Sequence, residues 1–218
     1  MEIDRKKMQD YWESCSKYDS KTDTDARMNV AGREQGANDE AFYESGKDSL
    51  RRILEGLDKF IKLENLNVIE IGCGCGRILK PFKETGISKR LVGADISQGM
   101  LDEGKKYLKG MNVDFVRTNG FNLSVIKNDS AHLVYSYIVF QHLPKEVFKS
   151  YLNDTYRILK KDGIFKFHLP INNGGEIKEH PGTDFRSIRE WTKNEIKELC
   201  EKFKIEEISK NLITLRKE

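Results

Sequence analysis

Asn67-Val-Ile-Glu-Ile-Gly-Cys-Gly-Cys-Gly-Arg77 is the stretch on which the fold turns. Val68, Ile69 and Ile71 form a β-branched run that stops at Gly72, Gly74 and Gly76, and Arg77-Ile-Leu-Lys80 resumes with residues suited to a helix. The order is strand, glycine turn, helix. Glycine at alternate positions lets the backbone take positive φ and lets a ligand reach the main chain with no Cβ in the way. The helix start that follows offers unpaired N–H groups and partial positive charge. The stretch reads as a cradle for a nucleotide-type ligand with an anionic group.

Outward from the cradle, strands and helices alternate. Upstream, Phe42, Leu50, Ile53, Leu54, Leu57, Phe60 and Ile61 place a helix over Asp39 to Leu63, bent or interrupted at Gly46. Downstream, Arg77–Thr85 is a helix stopped by Gly86, and Leu91–Asp95 is a second strand ending in an acid. Ser97 caps a helix from Gln98 to Leu108, and Val113–Val116 is a third strand. Ala131–Ser136 is a fourth, followed by a helix from Pro144 to about Lys160. Lys161-Asp-Gly163 is expected as a turn and Ile164–Leu169 as the fifth strand. Thr192 caps a helix to about Phe203, and Lys204–Ser209 and Leu212–Arg216 close the chain as an antiparallel hairpin. Such alternation predicts a largely parallel sheet covered on both faces. Ligands on these sheets bind beyond the carboxyl ends of the strands, where Gly72, Asp95, Asn119 and Ser136 fall. Asp95 follows Gly72 at the spacing of an acid that accepts ribose hydroxyls, and Ile96 and Met100 are candidate apolar contacts to an adenine ring.

The form Glu70-Ile-Gly72-x-Gly74-x-Gly76 resembles the first motif of the class I S-adenosylmethionine-dependent methyltransferases. Asn119-Gly-Phe121 matches the family's adenine-contacting position after the third strand, with Asn where Asp is usual. Ala131–Pro144 and Tyr156–Gly163 are similar to two further family motifs, and the resemblance runs most strongly over residues 65–169. It implies a Rossmann-like, mostly parallel seven-stranded α/β sheet with helices on both faces and a C-terminal antiparallel hairpin. It also implies S-adenosylmethionine as cofactor and methyl transfer to an O, N, C or S atom of a small molecule. The expected cofactor-binding residues are Glu70, Gly72, Cys73, Gly74, Gly76, Asp95, Ile96, Met100, Asn119, Gly120, Phe121, Ser136 and Tyr137. His142 is the candidate base, with His168 behind it. Residues 39–218 are expected as the methyltransferase domain. Residues 1–38 are an N-terminal extension whose stripe Met8, Tyr11, Trp12, Cys15 and Tyr18 is a candidate lid. The long loop 170–185 is a second segment expected to be functional.

Composition limits the alternatives. Across 218 residues, 38 basic against 35 acidic residues give a net charge of +3, too balanced for a nucleic-acid surface. No apolar run is long enough to span a bilayer, and the amino terminus has no apolar signal core, so a cytoplasmic protein is expected. Cys15, Cys73, Cys75 and Cys200 form no C-x-x-C pair, which favours free thiols over a disulfide or a metal site. The glycine spacing and the lack of a substrate domain weigh against a nicotinamide-dependent dehydrogenase. A non-catalytic sensor built on the same cradle is the other alternative, because binding and turnover need different residues.

Overall fold

Seven strands build one sheet: Leu66–Ile71 (β1), Ser88–Asp95 (β2), Asp114–Arg117 (β3), Ala131–Ser136 (β4), Leu159–His168 (β5), Lys204–Ser209 (β6) and Leu212–Arg216 (β7). The structure, a computed structural model, describes residues 5–17, 39–172, 174, 185 and 188–218. The strand order is β3-β2-β1-β4-β5-β7-β6. The first five strands run parallel, and β7 lies antiparallel between β5 and β6. From β1 the chain moves outward to β2 and β3, then returns to lay β4 on β1's other side. That reversal opens a crevice at the carboxyl ends of β1 and β4, the usual ligand position on such sheets.

The helices are Arg5–Ser14 (α1), Asp39–Leu54 (α2), Leu79–Glu84 (α3), Gln98–Tyr107 (α4), Lys145–Ile158 (α5) and Lys193–Leu199 (α6). Successive strand residues point to opposite faces, so a sheet buried on both sides needs two apolar sets. Ile69, Ile71, Val134, Phe165 and Phe167 join Phe148, Leu152, Trp191 and Ile196 on one face. Val68, Leu91, Leu133, Tyr135 and Ile164 join Ile53, Leu57, Phe82 and Leu101 on the other. Glu70 shares the face of Val68 and sits opposite Tyr135 in register, which places an acid inside an apolar layer.

Several boundaries differ from expectation. α2 runs unbroken through Gly46, because a Cβ there would overlap the Arg77 carbonyl and glycine lets the two backbones meet. The helical pattern ends at Leu54, and Gly56, at φ 72°, starts a 3₁₀ turn over Leu57–Lys59. β5 begins at Leu159, not Ile164. The expected turn Lys161-Asp-Gly163 lies inside the strand as a bulge, with Asp162 at φ 61° and the register jumping from Ala131↔Leu159 to Leu133↔Ile164. α6 is shorter than expected, although Thr192 and Glu195 do form a full capping box. The closing hairpin keeps its expected bounds. Lys210 and Asn211 take φ 50° and 65°, the left-handed pair that matches the twist of a two-residue hairpin. Tyr18 and most of the loop 170–185 lie outside the described residues.

Candidate active site

A cavity of about 150 Å³ opens at the carboxyl ends of β1, β2 and β4. Its floor is the glycine turn, whose Gly72, Gly74 and Gly76 have φ of 70°, 52° and 85°. Gly72 and Cys73 donate their N–H groups to the Ala94 carbonyl at 2.7 and 3.2 Å, tying the turn to β2. The three glycines serve different ends. A Cβ on Gly76 would press on Leu108 at 2.7 Å, and one on Gly72 would meet Val139 Cγ1 at 2.9 Å. A Cβ on Gly74 would meet nothing within 4 Å. Gly74 lines the cavity, so that open space is room for a ligand against bare main chain.

Asp95 closes the opposite wall. Its Oδ2 accepts from Gly74 N–H at 2.8 Å and its Oδ1 accepts from Ser97 N–H at 2.9 Å. One carboxylate therefore joins the glycine turn to the start of α4. Each oxygen keeps a further lone pair for a ligand hydroxyl. Burial raises its pKa, opposed by the N–H groups of Ser97, Gly74 and Ile96.

Glu70 is 2% exposed and accepts from the Tyr135 hydroxyl at 2.9 Å. Burial pushes its carboxyl up to about 8, against the pull of the Tyr135 hydrogen bond and the nearby Arg77. Proton linkage gives the sign. Protonated Glu70 favours the folded state, fully so below the ordinary carboxylate range, and that contribution is gone once the pH has risen through about 8. Melting curves from pH 5 to 9 are expected to show the wild type losing stability toward pH 8 relative to Glu70→Gln. Parallel curves would contradict a protonated Glu70.

α1 and the 3₁₀ turn that follows it, Cys15–Lys17, roof the cavity with Met8, Trp12 and Cys15. Trp12 meets the His142 ring edge-on at 5.9 Å, and the Arg5 guanidinium lies 3.8 Å above the Phe121 ring. Glu13 secures this roof. Its Oε2 accepts from Gln98 N–H at 2.7 Å and its Oε1 from Gly99 N–H at 3.1 Å, while Ser97 Oγ takes Met100 N–H at 3.2 Å. The first turn of α4 is thus capped partly by another helix. Charge-assisted bonds of this kind contribute about 1.5–3 kcal/mol. Glu13→Ala is expected to leave the sheet's hydrogen exchange unchanged and to speed exchange over residues 5–17. Unchanged exchange there would reject the latch.

A family model described as a methyltransferase domain matches residues 68–163. Over those residues, fewer than half of the 218, the chain is similar to methyltransferase domains. An uncharacterized protein of Rickettsia prowazekii is 30% identical over 106 residues, a match spanning 47% of this chain and 42% of that relative. Magnesium protoporphyrin IX methyltransferase from Synechocystis PCC 6803, solved with bound S-adenosylmethionine, has the same fold. It superposes with a TM-score of 0.69 at 14% identity, covering 100% of this chain and 99% of that one. An S-adenosylmethionine-dependent methyltransferase from Mesorhizobium loti gives 0.60 at 17% identity, over 78% and 96% of the two chains.

The cavity gathers Glu70, Gly72, Cys73, Gly74, Asp95, Ile96, Met100, Tyr137 and His142 of the residues expected from sequence. Five others stand apart from its lining. Gly76 packs on Leu108. Ser136 Oγ donates to the Ile71 carbonyl at 2.9 Å, stitching β4 to β1. Asn119 is exposed, and its side-chain oxygen accepts from the N–H groups of Phe121 and Asn122, both at 2.9 Å. Gly120 and Phe121 follow it away from the lining, Gly120 lying under Ile96 and Met8. The convergence of four strand ends on one crevice is therefore true of Gly72 and Asp95, not of Asn119 and Ser136. His142 is buried, with Nε2 3.0 Å from Gln141 Nε2. His168 lies outside the lining. Residues not foreseen from sequence include Phe42, Cys75, Arg77, Thr118 and Ile138. Arg77 donates to Ser45 Oγ and Ser49 Oγ at 3.1 and 2.9 Å. Ile138 sits at φ 59°, a strained conformation for a β-branched residue and one found at functional sites.

Proposed function

We propose that this protein is a methyltransferase that binds S-adenosylmethionine and acts on a small molecule. The observation that carries the reading is the pair Gly74 and Asp95, which face one cavity and are joined by a 2.8 Å hydrogen bond. The donor set fits the cofactor. Bare main chain at Gly74 leaves room for its amino-acid end, Asp95 has acceptors for ribose hydroxyls, and Ile96, Met100 and Met8 offer apolar walls for adenine. When bound, the compound supplies an electrophilic methyl group. The chain's own work is then to orient the acceptor and exclude water. Trp12, Ile138, Val139 and Leu143 give that end of the cavity its apolar wall. His142 is the base we assign where the nucleophile must lose a proton. Residues 39–218 act as the catalytic domain and the N-terminal extension as its lid. Cytoplasmic location fits four buried free thiols and charge balance. No helix among the described residues is long and apolar enough to cross a membrane.

Calorimetric titration with S-adenosylmethionine, S-adenosylhomocysteine and NAD tests the cofactor, and methyl transfer to a panel of small acceptors separates an enzyme from a sensor. Binding of NAD alone would refute the reading. Glu70 adds a proton signature. A cationic ligand favours its ionised form, so affinity for S-adenosylmethionine is expected to rise with pH, by up to about tenfold per unit below about 8. Glu70→Gln should flatten that slope. A flat wild-type profile would place the cofactor's charge away from Glu70.

A further inference from the structure

Arg52, Tyr137 and His168 meet near the carboxyl ends of β4 and β5, beside the cofactor cavity. Arg52 is exposed on α2. Its neighbour Arg51 pairs with Asp48 at 3.0 Å, whereas no described carboxylate pairs with Arg52. Its Nη1 stands 3.5 Å from the Tyr137 hydroxyl. That distance is at the outer limit of a hydrogen bond, so neither group is used up by the other. Tyr137 also lines the cavity. The His168 ring lies 5.3 Å from the Tyr137 ring. His168 Nδ1 is buried with no partner among the described residues, and a polar atom left this way costs stability until something pairs with it. Burial and the positive charge of Arg52 hold His168 down at about 4, so the ring is neutral at pH 7. The place holds a planar cation, a hydroxyl and an imidazole, with no counter-ion against them among the described residues.

We propose that Arg52, Tyr137 and His168 bind an oxyanion carried by the methyl acceptor, so that the acceptor is an acid rather than an amine. The guanidinium fork suits a carboxylate or a phosphate. The Tyr137 hydroxyl has its proton to give, and His168 can turn its N–H to the same group. The identity of this group as part of an acceptor rests on the methyltransferase reading; the binding of an oxyanion does not.

The test uses the full chain, with and without saturating S-adenosylhomocysteine, and four probes on one ring: benzoate, phenyl phosphate, benzamide and benzylamine. Affinities are read by calorimetry at low salt. One of the two anions is expected to bind about tenfold or more tighter than the amide and the amine, and which of them leads assigns carboxylate or phosphate. Arg52→Ala should abolish that preference, Arg52→Lys should keep part of it, and neither should alter S-adenosylhomocysteine affinity. In ¹⁵N-histidine spectra the His168 signals should move with the anion and stay still with the amide. Equal binding of all four probes, or an anion preference that survives Arg52→Ala, would overturn the proposal. Loss of S-adenosylhomocysteine binding in the wild type, with the anion preference intact, would overturn the methyltransferase reading instead.

Discussion

Asp95→Ala is expected to weaken S-adenosylmethionine binding by on the order of 100-fold or more, because two charge-assisted bonds of about 1.5–3 kcal/mol each are lost. A second loss adds to the first. The same carboxylate holds Gly74 N–H and Ser97 N–H, so its removal frees the glycine turn from the start of α4. Asp95→Asn separates the two effects, since the amide keeps one acceptor oxygen for the backbone and loses the charge. It should bind between the wild type and Asp95→Ala. The sheet itself does not depend on this side chain, and the far-ultraviolet circular dichroism of both variants should match the wild type. Calorimetry showing wild-type affinity in Asp95→Ala would remove Asp95 from the cofactor site.

The second large effect contrasts two glycines two residues apart. Gly72→Ala places a non-glycine residue at φ 70° and drives its Cβ into Val139, both of whose methyl groups crowd the position. Left-handed strain of about 1–2 kcal/mol and overpacking of about 1–3 kcal/mol together predict a loss of about 2–5 kcal/mol in stability. Gly74→Ala, at φ 52°, has only the backbone strain to bear, because its Cβ meets nothing. That Cβ stands where the ligand approaches, so Gly74→Ala should stay folded and bind cofactor poorly. Urea melts and titrations on both variants decide the matter. A Gly74→Ala protein with normal affinity would mean that the ligand keeps clear of the main chain there.

The parts of this site legible in the sequence are those where the backbone leaves its signature in residue type. Glycines at 72, 74 and 76 announced positive φ, and all three have it. Lys210-Asn211 between two alternating runs announced a tight hairpin, and the register agrees. What stayed hidden depended on partners distant in the chain. Asn119 has a short polar side chain that can satisfy its own neighbours' N–H groups as readily as a ligand, and here it does the former. Ser136 at a strand end looked available, yet the neighbouring strand's Ile71 carbonyl claims it. The stripe Met8, Tyr11, Trp12, Cys15 and Tyr18 showed an apolar helical face, but not that Met8, Trp12 and Cys15 cover a cavity. Nothing in the neighbourhood of Glu13 points to Gln98 and Gly99 some 85 residues away. Ile138 gave no sign of its left-handed backbone, since isoleucine is the last residue such a conformation would favour. Gly46 suggested a break in a helix, whereas it marks where α2 meets the Arg77 carbonyl.

The central claim is that bare main chain at Gly74 and the carboxylate of Asp95 together hold an adenosyl group. A crystal structure of the full chain grown with S-adenosylhomocysteine tests it most directly. Density for the nucleoside beneath α1, with its ribose hydroxyls on Asp95 and its amino-acid end against Gly74, is the expected result. A cavity without the ligand, or a nucleoside whose sugar lies away from Asp95, would contradict it.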